Sequence, residues 1–178
     1  PKTDIPYILD DQIKASIKNG DIILRMGKGI ISETIKNVLA DSIEISHCGI
    51  LIKEKDSISI IHSLSKEISG IDGLQECTID QFCSESIENS IIIVRFRNDS
   101  NQVLSQKAQY YLSIHKPFDN AFNIRDTSAF FCSELPLHII KYELETNLYD
   151  PYSKIPKFSV FLDSIHFEKI YPVSQEIE

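Results

Sequence analysis

Apolar residues recur along this chain with two spacings, which indicate two kinds of element. Runs rich in Ile, Val, Leu and Phe predict strands at residues 21–26, 46–53, 57–62, 90–97, 158–163 and 165–171. Apolar residues three or four positions apart predict helices at residues 8–18, 30–39, 100–114 and 132–145, with a short helical segment at 78–83. The polar stretch 63–73 has no period and is predicted to be a loop. The pattern indicates an α+β protein, most simply a single domain over residues 1–178 with its core in residues 20–171.

The runs 46–53 and 57–62 predict an antiparallel hairpin closed by the turn Glu54-Lys55-Asp56. If residues 53 and 58 face each other, Gly49 lies opposite His62, and His47 lies two positions along on the same face. Both imidazoles then point the same way, and Gly49 leaves room beside His62. Cys48 faces the opposite side of the sheet. A loop one residue longer or shorter places the two histidines on opposite faces.

A cysteine stands where an apolar run turns into the last predicted helix, in Phe130-Phe131-Cys132-Ser133-Glu134-Leu135-Pro136. Because proline has no N–H and fits the first turn of a helix, this helix is expected to begin within about four residues before Pro136. Cys132 then lies at a helix N-terminus, where unpaired N–H groups lower the pKa of a thiol. The alternative is that Cys132 is a small buried residue beside two phenylalanines. Glu134, in the same turn, is expected to stabilise the start of the helix, and the alternative is that it binds substrate.

Composition narrows the classes of partner. The net charge of -8 and the absence of clustered Lys and Arg argue against a nucleic-acid partner. No apolar run approaches the roughly 18 residues that a membrane span needs. The four cysteines, at positions 48, 77, 83 and 132, lack the paired spacing of a zinc site and are too few for a disulfide framework in 178 residues. Neither a metal nor an organic cofactor is expected, and oligomeric state is left open.

Three residues have the chemistry of a thiol nucleophile and its helpers. Cys132 would supply the sulfur, His47 would accept its proton, and His62 would orient His47, because a neutral imidazole nitrogen can accept a hydrogen bond. Residue types alone do not settle this assignment, since a chain with five histidines and four cysteines offers several such triples.

The order of four motifs resembles a known family. Asn19-Gly20-Asp21-Ile22-Ile23, Ile45-Ser46-His47-Cys48-Gly49-Ile50, Pro117-Phe118-Asp119 and Phe131-Cys132-Ser133-Glu134-Leu135 resemble the circularly permuted branch of the NlpC/P60 papain-like superfamily, in particular the YiiX-like cysteine hydrolases. The resemblance spans residues 20–137, and the histidine and cysteine motifs are specific only as an ordered pair.

This resemblance implies a permuted papain-like fold, with a small antiparallel sheet packed on helices and the cysteine at a helix N-terminus. It also implies that Cys132 is the nucleophile, His47 the base and His62 the third polar residue of a thiol amidase or peptidase acting on a cell-wall peptide or a lipid amide. A cell-envelope or secreted location is favoured on the same ground. Because Pro1 is not an initiator methionine, a leading segment is expected to have been removed before it, and whether this was a signal segment is left open. Phe118 stands where many relatives carry tyrosine, and many relatives carry glutamate where this chain has His62.

Two other functions fit the same residues. A thiol acyltransferase would pass the acyl group to an amine or an alcohol instead of water. A non-catalytic module would use Cys132, His47 and His62 as metal ligands, since these residue types also bind zinc. Product analysis separates the first alternative from hydrolysis, and metal content separates the second. The remaining histidines, 115, 138 and 166, are predicted to be structural.

Overall fold

A computed structural model describes residues 6–150, 152 and 155–172 of the chain. Six strands and six helices follow one another, with a 3-10 helix between the last helix and the last strand. In chain order they are α1 Asp11–Ser16, β1 Ile22–Arg25, α2 Ile30–Leu39, β2 His47–Glu54, β3 Ser57–Leu64, α3 Lys66–Ser69, β4 Gly73–Thr78, α4 Ile79–Ser84, β5 Ile92–Phe96, α5 Val103–Ser113, α6 Glu134–Tyr142, the 3-10 helix Phe158–Leu162 and β6 Phe167–Tyr171. None of the helices in the described residues is long and apolar enough to cross a membrane.

The strands form one antiparallel sheet in the order β4-β3-β2-β1-β5-β6. Strands β1 and β2 lie at its centre, which explains why the four residues of β1 are all buried. A sheet covered on both faces favours continuous apolar runs over strict alternation, and the run of isoleucine and leucine in β1 is of this type. The predicted α+β class is confirmed.

Each face of the sheet buries its own apolar layer. Cys48, Ile50 and Ile52 of β2 face the layer that contains Leu135 and Ile139 of α6, with α5 and the 3-10 helix. The alternate positions of β2 face the other layer, where Leu51 packs with Phe82 of α4 and residues of the N-terminal segment. Neighbouring residues of β2 therefore belong to different surroundings, as the period of two in a strand requires.

The predicted strand at 158–163 is wrong. This segment forms the 3-10 helix Phe158–Leu162, in which Phe158 and Phe161 are both buried. Residues three apart share a face in a 3-10 helix, so this conformation buries Phe158 and Phe161 together. The strand was predicted because Phe158, Val160 and Leu162 also alternate with a period of two.

The predicted loop at 63–73 is also wrong in part. Its residues 66–69 form the short helix α3, and strand β4 follows directly at Gly73. Gly73 has a φ of 86°, and a Cβ there would meet the carbonyl oxygen of Lys116 and lie 2.8 Å from the Cα of Pro117. Glycine is therefore required at the start of this strand, where the backbone approaches the loop before Cys132.

Candidate active site

His47 and His62 form a hydrogen-bonded pair on one face of the sheet. Their Nε2 and Nδ1 atoms, respectively, are 2.8 Å apart, and both residues are buried. The β2–β3 register pairs Glu54 with Ser57 and Ile50 with Ile61, which is the register that the sequence predicted. A Cβ at Gly49 would lie 3.1 Å from the Cβ of His62, so glycine leaves the space that this histidine occupies. The predicted hairpin and the shared face of the two imidazoles are confirmed.

Phe82 and Arg25 complete a compact cluster around the histidine pair. The Phe82 ring stacks on His47 at 5.8 Å between centroids and meets His62 edge-on at 5.9 Å. The Arg25 guanidinium lies 4.2 Å from the centroid of the Phe82 ring, donates to the Phe82 carbonyl oxygen at 2.6 Å and pairs with Glu85 at 3.1 Å. Arg25 faces His47 directly across β1 and β2. The imidazoles and a buried cation therefore lie against the same aromatic ring.

These surroundings keep both imidazoles neutral. Burial, and then the positive charge of Arg25, lower the pKa of His62 to about 3. Burial is also the main cause that lowers the pKa of His47 well below its ordinary value, with smaller contributions from Arg25 and His62. A neutral imidazole can accept a proton, so His47 is in the form that a general base needs at neutral pH.

Cys132 lies in the turn that leads into α6. The helix begins at Glu134 with Ser133 as its N-cap, so Cys132 precedes the first helical residue by two positions and Pro136 falls in the first turn. This agrees with the predicted position, although the helix ends at Tyr142 rather than near residue 145. Ser63 of β3 donates to the carbonyl oxygen of Phe130 at 2.6 Å, which fixes the segment before Cys132 over the sheet.

Cys132 is held against Cys48 of β2. The Cys48 thiol donates to the Cys132 carbonyl oxygen at 3.4 Å. Hydrogen bonding from the Cys48 side chain is the largest cause that lowers the pKa of the Cys132 thiol, and the N–H groups of Cys48, Ser133 and Cys132 add to it against the opposing effect of burial. The thiolate is thus stabilised mainly by donors from β2, and only partly by the start of the helix as the sequence predicted.

The structure joins the two histidines to each other and joins Cys132 to the residue that follows His47. Between residues that the structure describes, no hydrogen bond links Cys132 to either histidine. The β2–β3 ladder ends at Ile50–Ile61, whereas β1 pairs with β2 as far as His47. The sheet is therefore open between β2 and β3 where the histidines lie, and the segment carrying Cys132 crosses this open end.

Two residues matter more than the sequence analysis recognised. Arg25 was not singled out, because only the pairing of β1 with β2 places it across from His47. Glu134 was read as a cap, and its Oε2 does accept the Phe131 N–H at 3.2 Å. Its Oε1, however, is buried without a partner, and burial raises the pKa of Glu134 to about 8. Glu134 is therefore a neutral acid in the turn beside Cys132.

Phe118 and His138 lie apart from these contacts. Phe118 meets Phe122 edge-on with centroids 5.9 Å apart, in the loop that precedes Cys132. His138 packs against Phe130 at 4.7 Å and Tyr142 at 4.6 Å, in keeping with the structural role that the sequence predicted.

A cavity of about 870 Å³ opens onto the histidine pair. Its lining includes His47, His62 and Arg25 at the base, with apolar side chains of α2 and of the α3 region around them. Ile30 and Ile71 of this rim are exposed, at 84% and 61% of their surface. The cavity therefore connects the imidazoles with solvent, and its lining does not include Cys132.

Comparisons with known proteins support the fold. No protein-family model matches the chain, and no curated protein matches it. Among solved structures, the metalloprotein YiiX of Escherichia coli O157:H7, a DUF1105 protein, superposes with a TM-score of 0.60 at 20% sequence identity, over 76% of this chain and 71% of that protein. The chain therefore has a YiiX-like fold.

Proposed function

We propose that this protein is a thiol hydrolase that cleaves an amide or ester bond through an acyl-thioester on Cys132. His47 takes the proton of the thiol and later gives it to the leaving group, and His62 orients His47. Water then releases the acyl group. The proposal includes membership of the permuted papain-like branch of the NlpC/P60 superfamily, in which a histidine precedes the cysteine along the chain; the YiiX-like fold supports it.

One observation carries this proposal: His47 and His62 hydrogen-bond each other, and Cys48, which follows His47 in β2, contacts Cys132. When the Nε2–H of His47 donates to the Nδ1 of His62, the Nδ1 of His47 is left as an acceptor. This tautomer suits a base that takes a proton on one nitrogen and is oriented through the other. Because His47 and Cys48 point to opposite faces of β2, the proposal requires the Cys132 sulfur to reach His47 past the open end between β2 and β3.

The turn before α6 also has the donors that acyl transfer needs. The N–H groups of Ser133 and Cys132 in this turn help to lower the pKa of the Cys132 thiol, and backbone donors in such a turn can stabilise the oxyanion of a tetrahedral intermediate. The neutral carboxyl of Glu134 adds no negative charge beside that oxyanion at pH 7.

A metal-binding module is the second candidate, because the similar YiiX structure is called a metalloprotein. The residues present here do not fit this role. Within the part of the chain that the structure describes, no three His, Cys, Asp or Glu side chains are grouped as metal ligands. One ring nitrogen of His47 and one of His62 take part in the hydrogen bond between the two rings. Cys132 contacts Cys48. We therefore derive no step through a metal.

The test is turnover of p-nitrophenyl acetate, followed by a panel of peptides and fatty-acyl amides, with Cys132→Ser as the control. We expect acetate release by the wild-type protein and none above background by the variant. Adding amine acceptors distinguishes hydrolysis from acyl transfer, since a transferase forms the amide in preference to the free acid. Release that is equal in Cys132→Ser overturns the proposal. Stoichiometric zinc that is lost in the same variant favours the metal-binding module.

A further inference from the structure

The four cysteines form two pairs with opposite character. All four are free. Cys48 and Cys132 lie next to each other between β2 and the turn before α6, where the Cys48 thiol donates to the Cys132 carbonyl oxygen at 3.4 Å. Cys77 and Cys83 lie in β4 and α4, near each other on the other face of the sheet, where burial raises their pKa values to about 12 and about 11. Only the first pair combines a stabilised thiolate with a neighbouring thiol.

The two members of that pair differ in access and in charge. Cys132 is partly exposed and its thiol pKa is lowered, so an oxidant can reach a reactive sulfur. Cys48 is fully buried, and burial together with Cys132 raises its pKa. Cys48 therefore keeps its proton and does not meet the oxidant first. Oxidation-sensitive sites have this arrangement, in which an accessible thiolate lies beside a second cysteine.

We propose that Cys132 is a site of oxidation by hydroperoxides and that Cys48 is its resolving cysteine, so that the pair closes to a disulfide. The inference deepens the proposed function by adding regulation, because a disulfide at Cys132 removes the nucleophile that the hydrolase requires. The disulfide itself depends only on the contact between the two cysteines.

The chemistry balances without a cofactor. The Cys132 thiolate attacks one oxygen of the hydroperoxide; an S–O bond forms, the O–O bond breaks, and hydroxide or alkoxide leaves. Cys132 is oxidised by two electrons to the sulfenic acid, and the peroxide is reduced. The Cys48 sulfur then attacks the sulfenic sulfur; an S–S bond forms, the S–O bond breaks, and the Cys48 proton leaves with the hydroxyl group as water. A dithiol restores both cysteines by exchange.

Position 48 does not need cysteine for its fold. The side chain belongs to the apolar layer beside α6, where a small aliphatic residue has the same packing role. A purely structural Cys48 predicts that oxidised Cys132 proceeds to the sulfinic acid, since no partner intercepts the sulfenic acid. A resolving Cys48 predicts a reversible disulfide, so the oxidation product distinguishes the two roles.

The experiment is a non-reducing peptide map of the purified full chain after treatment with a small excess of hydrogen peroxide. We expect a Cys48–Cys132 disulfide that dithiothreitol removes, with Cys77 and Cys83 still alkylable as thiols. In Cys48→Ala and Cys48→Ser we expect sulfenic acid at Cys132, trapped by dimedone, and then sulfinic acid. The wild-type map decides the question even if neither variant folds.

Esterase activity after the same treatment separates this proposal from the proposed function. Wild-type activity should be lost and then recovered with dithiothreitol, whereas each variant should recover much less of its own starting activity. If the untreated protein has no activity, the peptide map alone still supports or overturns the cysteine pairing. Sulfinic acid forming on wild-type Cys132 as fast as on Cys48→Ala, without the disulfide, overturns the inference and leaves the hydrolase proposal standing.

Discussion

His47 and Cys48 are neighbours in β2, yet their side chains lie on opposite faces of the strand, where pKa values shift for different reasons. On the histidine face, burial and Arg25 lower the pKa values of both imidazoles, so His47 and His62 are both neutral. On the cysteine face, burial raises the pKa of Cys48, while hydrogen-bond donors lower that of Cys132. Burial and a nearby cation keep the histidine pair neutral, whereas directed donors lower the pKa of one thiol. The proposed chemistry needs one product of each face: a neutral base and a thiol that gives up its proton more readily than usual.

The largest expected effect comes from the histidine face. If His47 is the base, His47→Ala removes the proton acceptor and should lower kcat by about 10²- to 10⁴-fold, the usual contribution of general acid–base catalysis. His62→Ala should cost less, because the base is still present but poorly oriented. His62→Gln should keep more activity than His62→Ala, since the amide accepts a hydrogen bond. The measurement is esterase kinetics, with melting temperatures to confirm the fold. Equal losses in His47→Ala and His62→Ala would mean that the roles must be exchanged.

Gly49→Ala tests how tightly the histidine face is packed. The new Cβ would meet the Cγ2 of Ile60 and would lie 2.9 Å from the Ile61 carbonyl oxygen and 3.1 Å from the His62 Cβ. Overpacking of this kind typically costs about 1 to 3 kcal/mol of unfolding free energy, which urea denaturation measures. Gly27→Ala is the matched control, because its closest contact is the rotatable Ser32 hydroxyl. Equal costs in the two variants would show that the fit beside His62 is not special.

Glu134→Gln tests the cysteine face through pH. The pKa of Glu134 is about 8 in the folded protein, above its ordinary value of 4.5, so the folded state binds more protons between these values and stability falls as pH rises through that range. Glutamine stays neutral and still accepts the Phe131 N–H. We expect the variant to gain about 1 to 3 kcal/mol over wild type at pH 8, and less at pH 5. Urea denaturation at both values checks this, and the exposed Glu88→Gln controls for the charge. A gain that does not grow with pH contradicts the account.

Arg25→Met has the smallest expected effect and tests what keeps the imidazoles neutral. Removing the cation should raise the pKa of His47, so the base is protonated at a higher pH. The acid limb of the pH profile of kcat should therefore move to higher pH. We expect a shift of about one pH unit or less, because burial is the larger cause. Glu85→Gln breaks the ion pair without removing the cation and should move the limb in the opposite direction. If the acid limb of kcat is unchanged in Arg25→Met, burial alone keeps the two imidazoles neutral.

The sequence predicted what depends on short-range geometry. The two-residue turn Lys55-Asp56 and the period of two were enough to place His47 and His62 on one face, and Pro136 was enough to place Cys132 before a helix. The sequence patterns did not predict contacts between segments that are far apart along the chain. The pairing of Arg25 with His47 depends on the connection of β1 to β2 through α2, and the contact of Cys48 with Cys132 depends on the path of the loop before α6. Strand β4 was missed because its outer residues are polar and its edge position requires no apolar run.

The most direct test of the central claim is the alkylation rate of each cysteine at pH 6, measured by mass spectrometry after limiting iodoacetamide. The account predicts that Cys132 reacts fastest, because it is the only one of the four whose thiol pKa is lowered. The buried Cys48 and Cys83 should be labelled only after unfolding, and the partly exposed Cys77 more slowly than Cys132, because its thiol pKa is raised to about 12. Equal labelling of all four, or faster labelling of another cysteine, would contradict the assignment of Cys132 as the nucleophile.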